Sequence, residues 1–200
     1  MTILPILFMF LEKFRDYFPV SPAIWQSYAD CFERIEVPAK TILLQEGAVS
    51  KTAFLIEKGC LRVWFDSNGE EVTFQFFFEH ATVSSIESFK KSIPSLFAIE
   101  TIEPCILWRI SKKDVDRLLQ EVRKQPAVCN LIMDKLFDRT LNYMQHFLSF
   151  IRDTPQQRYL HLLENQPHII QRVPQHYIAS YLGISRVHLS RIKNKLARNR

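Results

Sequence analysis

The 200-residue chain is 47% apolar and 24% charged, an ordinary globular composition able to bury a core in one large domain or two small ones. Its four cysteines, Cys31, Cys60, Cys105 and Cys129, show no CxxC or Cys/His spacing. That excludes a cysteine-built zinc or iron–sulfur centre and fits buried small hydrophobes in a reducing cytosol. The formal charge of +5 is unevenly placed: after Glu164, the last acid, come Arg172, Arg186, Arg191, Lys193, Lys195, Arg198 and Arg200, an end suited to a polyanion such as nucleic acid or an anionic membrane.

The chain opens on Thr2–Leu11, an apolar run with no basic residue before it, no small-residue cleavage site and an interrupting Pro5. A bilayer needs roughly 20 apolar residues. This segment therefore joins Glu12–Tyr17 in an amphipathic helix expected to pack on the body of the protein, with no membrane partner and a cytoplasmic location. No low-complexity segment or internal repeat follows.

From Arg34 to Ile110 short apolar runs alternate with turn signals: TILLQ, AFLIE, CLRVWF, VTFQFFF, LFAIETI and CILWRI. Such punctuation predicts strands. The clearest turn is Asp66-Ser67-Asn68-Gly69, because Asn-Gly tolerates the positive φ angles of a tight hairpin, so Cys60–Phe65 and Glu71–Phe77 should pair antiparallel. In the second strand Val72, Phe74 and Phe76 alternate with Thr73 and Gln75, predicting one buried and one more polar face. Many short strands with no long helix between them predict a barrel or jelly roll.

At Ser111 the period changes. Ser-Lys-Lys-Asp offers a capping box in which the Ser111 hydroxyl and Asp114 carboxylate satisfy orphan amides at a helix start. Pro126 suits the first turn of a second helix with two apolar stripes, one through Val128, Ile132, Leu136, Tyr143, Phe147 and Phe150, the other through Met133, Phe137, Leu141, Met144, Leu148 and Ile151. One small barrel can cover only one stripe. The second is most economically buried against its own copy in a parallel dimer, the alternative being packing between domains of one chain. After Asp153-Thr154-Pro155, PQQRYLHLLENQP reads as a short helix closed by Pro167.

Pro174 then marks a helix start, and Ile178, Ala179 and Leu182 share a side of Gln175–Leu182. Gly183 ends it in the left-handed conformation open to glycine, Ile184 plugs the turn, and Ser185 N-caps the next helix from Arg186 to about Leu196. There Leu189, Ile192 and Leu196 face inward, while Arg186, Val187, Ser190, Arg191 and Lys195 face outward and His188 lies nearer the flank. A small residue at the crossing, glycine at the turn and an acid-free outer face are what a DNA-reading helix-turn-helix requires. Gln175, Ser185, Arg186, Val187, His188, Ser190, Arg191, Lys193 and Lys195 are the candidate DNA-binding residues.

With this strand-rich first half, long dimer-type helix and Ala-Ser-Tyr-Leu-Gly-Ile-Ser-Arg pattern, the chain resembles the Crp/Fnr family of bacterial transcriptional regulators, most strongly in PQHYIASYLGISRVHLSRIKNKL. The resemblance implies an α+β protein: helices and a cyclic-nucleotide-binding-like, cupin-like β jelly roll over 1–125, a dimerisation helix over 126–151 and a helix-turn-helix domain over 152–200. It also implies a homodimer on a palindromic operator in double-stranded DNA, with RNA polymerase as a further partner. Ser185, Arg186 and Arg191 fall where the family places base and phosphate contacts, and arginine can bridge guanine O6 and N7. Where the family often has glutamate after the first of these arginines, this chain has Val187, which can meet a thymine methyl but cannot accept from cytosine, so the operator should differ. The family's β-hairpin wing is expected to be short or missing, with Lys193, Lys195, Arg198 and Arg200 compensating at phosphates.

The family's cyclic-nucleotide cassette pairs a Gly-Glu with a later Arg-Ser-Ala. Here Glu79-His80 stands near the first and Pro94-Ser95-Leu96 near the second, and no arginine occurs between Arg62 and Arg109. A buried phosphate without its cation costs several kcal/mol, so cyclic AMP is not expected to bind and no cofactor is identified. Glu79, His80, Ser84, Ser85 and Ser95 are the candidate effector-pocket residues beside a wall of Phe74, Phe76, Phe77, Phe78, Phe89 and Phe97, which could hold a small apolar effector or simply be core. Two alternatives stand beside the effector-sensing regulator. One is a regulator with a ligand-free barrel controlled by protein contact. The other is a cupin-type enzyme, which would need several histidines on one metal where the strand region has only His80.

Overall fold

A computed structural model describes residues 29–198. The amphipathic helix expected over residues 2–17, and Arg200, lie outside them. Among the described residues, eight strands follow a 3-10 turn at Ala29–Cys31: β1 (Phe32–Val37), β2 (Ile42–Leu44), β3 (Thr52–Lys58), β4 (Leu61–Ser67), β5 (Glu70–Phe77), β6 (Thr82–Val83), β7 (Ala98–Thr101) and β8 (Cys105–Ser111). Seven helices accompany them: α1 (Ile86–Lys91), α2 (Lys112–Val122), α3 (Pro126–Arg152), α4 (Pro155–Asn165), α5 (Pro167–Arg172), α6 (Gln175–Tyr181) and α7 (Arg186–Arg198). The strands form two four-stranded antiparallel sheets, ordered β1-β8-β3-β6 and β2-β7-β4-β5, in a jelly-roll-like arrangement. With the helical C-terminal part this is the α+β fold expected.

The chain divides into two units. The first comprises the described residues up to Leu61 together with Phe77–Thr140. Its core gathers Phe32, Ala53, Leu55, Phe89, Trp108 and Ile110, with Val115 and Leu118 of α2 against it. Trp108 is wholly buried, and its indole N–H donates to Glu57 Oε2 at 2.7 Å, so the polar edge of a core aromatic is satisfied. Thr101, also wholly buried, donates to the Pro38 carbonyl at 2.7 Å and accepts from the Thr41 amide at 2.9 Å, fixing the connection into β2. Ser111 caps α2 as expected, its hydroxyl oxygen accepting from the Asp114 amide at 3.2 Å. The expected reciprocal half differs: the Asp114 carboxylate accepts a hydrogen bond from the Ser111 hydroxyl at 2.6 Å instead of from a backbone amide.

The second unit comprises Arg62–Phe76 and the residues from Leu141 onward. Its strand pair turns through Asn68 (φ 57°) and Gly69 (φ 85°), the geometry predicted for Asn-Gly, and the Gly69 amide donates to Asp66 Oδ1 at 3.1 Å. The expected alternation along β5 is corrected: Thr73 and Phe76 are the buried residues, while Val72 and Phe74 are half-exposed. Thr73 is covered because the α6 residue Ser180 treats β5 as a strand edge, its hydroxyl accepting from the Thr73 amide and donating to the Glu71 carbonyl, both at 2.9 Å. The Arg62 guanidinium, 2% exposed, reaches Thr73 Oγ1 at 3.4 Å and lies 4.0 Å from the Tyr177 ring centroid.

The phenylalanines do not share one wall, as the pattern had suggested. Phe89 is core, Phe74 packs on Phe65, Phe76 on Tyr181, and Phe77 lies under the Arg139 guanidinium. Neighbours in a strand point to opposite faces, so a run of aromatics is divided between environments. A second correction concerns Pro167, which does not merely close α4. It occupies the first turn of α5, a helix the sequence pattern had not separated.

Among the described residues no helix is long and apolar enough to cross a membrane. One apolar stripe of α3 is exposed: Met133, Phe137, Leu141, Met144, Leu148 and Ile151 retain between 50% and 71% of their accessible surface, whereas the other runs from buried Val128 to Phe147, which retains 66%.

Candidate nucleic-acid interface

The interface begins with how α6 ends. Gly183, at φ 65°, donates its amide to the Ser180 carbonyl at 2.9 Å, and Ile184 donates to the Ala179 carbonyl at 3.0 Å. This pair of reversed hydrogen bonds is a Schellman closure, which needs a left-handed residue at Gly183. The chain then turns directly into α7. Ser185 caps it, its hydroxyl accepting from the His188 amide at 3.2 Å and its carbonyl from the Leu189 amide at 3.0 Å.

Ile178, Ala179 and Leu182 of the first helix and Leu189 and Ile192 of the second are each at most 5% exposed, so the two helices pack through the residues the spacing selected. Ala179 is small enough to allow that crossing. Outward from this seam Gln175, Arg186, Val187, His188, Ser190, Arg191 and Lys195 are exposed. Lys193 is half-buried.

A groove of about 640 Å³ runs along this face, lined by Ser185, Val187, His188, Arg191, Ile192 and Lys195 of the turn and α7, and by Thr154, Pro155 and Gln156 of α4. The last three were not among the sequence candidates. Thr154 closes a full capping box with Gln157, its amide donating to Gln157 Oε1 at 2.9 Å and its hydroxyl accepting from the Gln157 amide at 3.3 Å. The box was legible in Thr-Pro-Gln-Gln, but its position beside α7 depends on tertiary packing. The positive end of α4 thus adds to Arg191 and Lys195 in a groove whose lining holds no carboxylate. Chemically this face can hold a phosphate backbone and present arginine and an apolar side chain to base edges.

α4 is anchored to the turn by Arg158. Its Nε and Nη2 donate to the Leu182 carbonyl at 3.3 and 3.0 Å, and Nη1 donates to the Asp153 carbonyl at 2.8 Å. Burial lowers the Arg158 pKa from its ordinary value, opposed by the charge of Asp153. Nearby, His146 stacks on Tyr181 with ring centroids 4.4 Å apart. Burial, and then the Arg158 charge, hold the imidazole pKa below its usual value, while burial and the neighbouring Tyr143 push the Tyr181 phenol up to about 12.

The effector candidates lie in the first unit. Glu79 Oε1 accepts from the Gly59 amide at 2.8 Å, and His80 is exposed with φ 67°. Ser85 and Ser95 are brought together, both buried: Ser95 Oγ lies 2.9 Å from Ser85 Oγ and donates to the Phe97 carbonyl at 2.7 Å. Ser84 is half-exposed. Lys90 and Lys91 are exposed, and Lys91 pairs with Glu87 one turn earlier on α1. The cysteines are all unbridged, and no cluster of metal-ligating side chains occurs among the described residues.

Residues 34–122 match the family model of the cyclic nucleotide-binding domain. Among solved structures, the chain resembles the c-di-GMP responsive global regulator CLP of Xanthomonas campestris, with a TM-score of 0.71 and 20% identity over 90% of this chain and 93% of that one. A cyclic nucleotide-binding domain containing protein from Listeria monocytogenes EGD-e gives 0.68 and 18% over 95% and 91%, and the catabolite activator protein of Thermus thermophilus gives 0.53 and 17% over 90% and 85%. No curated protein matches the chain in sequence. At such identities the likeness is one of fold: a cyclic nucleotide-binding domain followed by helices.

Proposed function

We propose that the chain is a sequence-specific DNA-binding transcription regulator that acts in the cytosol as a homodimer on a palindromic operator, and not an enzyme. The observation that carries this reading is the acid-free face of α7, with Arg186, Val187, Arg191 and Lys195 exposed on a helix whose opposite side is locked to α6. In this reading α7 enters the major groove, Arg186 and Arg191 contact guanine edges and phosphates, and Lys193, Lys195 and the start of α4 hold the backbone. The exposed stripe of α3 meets its own copy, which sets the spacing of two half-sites. The functional division is 1–125 for the sensor, 126–151 for the dimer helix and 152–200 for DNA, with residues 62–76 supporting the last.

The jelly roll is a sensor that does not take cyclic AMP. A cyclic phosphate in that domain wants an arginine where the chain has Pro94-Ser95-Leu96, and the two lysines of the region are exposed on α1. Contact with RNA polymerase belongs to the same reading. Selection of binding sites from random duplexes, followed by mobility shifts with the wild type, Arg186→Ala and Arg191→Ala, tests it. A shared palindrome bound specifically by the wild type and lost in the variants is expected. Specific binding unchanged in both variants would overturn the assignment of α7.

A further inference from the structure

The helical unit contains a cavity that DNA reading leaves unused. Its volume is about 660 Å³, and it is bounded by α3, α4 and the end of α6, all within the second unit. Cavities of roughly 300–1,000 Å³ suit small-molecule ligands.

The α3 side is a polar row one turn apart: Asn142, Gln145, Ser149 and Arg152. At about 100° per residue this row is centred roughly 90° around the helix from the apolar stripe of Leu141, Met144 and Leu148, with Gln145 and Arg152 bordering that stripe.

Its charge is predominantly cationic, with Arg152 and Arg158 set against the single acid Asp153. That acid is already engaged, its Oδ1 2.8 Å from Arg152 Nε and its Oδ2 3.5 Å from His161 Nδ1. Arg158 is held in place by donation to the Leu182 and Asp153 carbonyl oxygens, and Asp153 is the one carboxylate whose charge reaches it. Asn142 and Gln145, both exposed, add carboxamides that can donate to or accept from hydroxyl groups. Guanidinium for negative oxygen and carboxamide for hydroxyl together select one ligand chemistry.

We propose that this cavity binds a small hydroxylated organic anion, either a phosphate ester or a carboxylate, and so ties the end of α3 to the helix-turn-helix. The anion sits against Arg152 and His161 with its hydroxyls toward Asn142 and Gln145. Because α4 and the last turn of α6 form the far wall, occupancy fixes the segment from which α7 projects.

Calorimetry of the full chain without DNA, using glucose 6-phosphate, gluconate and glucose as probes, tests the proposal. Saturable binding of at least one charged probe and none of glucose is expected, weakened about tenfold or more by Arg152→Ala. The paired variant Asn142→Ala with Gln145→Ala changes only exposed positions and should weaken binding without lowering stability, which covers the case in which Arg152→Ala disturbs Asp153. Equal binding of glucose, no binding of either anion up to millimolar concentration, or binding indifferent to both variants overturns the proposal. Since no DNA is present, failure here leaves the DNA-binding reading standing, and loss of that reading does not remove the cavity.

Discussion

A Cβ placed on Gly183 would lie 2.8 Å from Cε1 of Phe150, well inside van der Waals contact. The ring cannot simply withdraw, because the Arg158 guanidinium sits 4.6 Å from its centroid and His146 packs edge-on at 5.0 Å. The helix-turn-helix turn is thus built against the last turns of α3. Gly183→Ala meets two obstacles, a left-handed backbone at φ 65° and the displaced ring. Together they should cost about 2–3 kcal/mol, of which about 1 is the backbone term. Urea unfolding followed by circular dichroism should show the lower midpoint. A Gly183→Ala, Phe150→Ala double variant should lose less than the sum of the two single changes, because the clash is then absent.

The exposed stripe of α3 gives a second prediction. Phe137 and Leu141 lie one turn apart and are 61% and 53% exposed, far more than core residues of a helix this apolar should be. Replacing both by glutamate puts like charges across a two-fold seam. Sedimentation should change from a dimer to a monomer while the helical content is kept, and operator affinity should fall because half-sites are no longer bound together. A wild-type chain that sediments as a monomer at micromolar concentration would remove the dimer from the reading.

Much of this architecture was legible because it depends on local rules. Asn68-Gly69, Ser111, Pro126, Thr154, Gly183 and Ser185 each impose a backbone geometry through their own atoms, and each marks an element boundary in the structure. What local rules could not supply were contacts set by the rest of the fold. Thr73 reads as an outward polar residue, yet it is buried because Ser180, far along the chain, completes the edge of its strand. Likewise, the run of phenylalanines reads as one wall, although strand alternation and the division after Phe76 send its members to different surroundings. The outward face of α7 followed from local periodicity and charge. Its widening by Thr154–Gln156 did not, since only tertiary packing brings the start of α4 beside Arg191.

Arg186 and Lys195 should separate reading from holding. Both are exposed on α7, but an arginine at the first turn can meet a base edge, whereas Lys195 beside the α4 start is placed for the backbone. Arg186→Ala should cost about 1–3 kcal/mol of operator affinity and relax the preference at one base pair. Lys195→Ala should weaken all sequences alike and reduce the salt slope of log affinity by about one. Titrations of operator and random duplex at several salt concentrations distinguish the two patterns; interchange of the effects would reverse the roles.

The His146–Tyr181 stack makes stability depend on pH in a defined window. Burial, followed by the charge of Arg158, holds the folded imidazole pKa below the unfolded value of 6.5. Below that value the unfolded chain therefore binds more protons than the folded one, and stability must fall as the pH drops. The decline begins near pH 6.5 and levels off once the pH is below the folded pKa. Asp153, whose pKa is lowered first by its hydrogen bond to Arg152, acts elsewhere: its contribution is present above 3.8 and is lost only as acid carries the pH beneath that value. Tyr181, raised to about 12, stays neutral throughout. His146→Phe keeps a ring against Tyr181 and removes the titration. Urea midpoints measured from about pH 7.5 to about 5 should fall for the wild type and remain nearly level for the variant. Parallel curves for the two proteins would place the titrating group elsewhere.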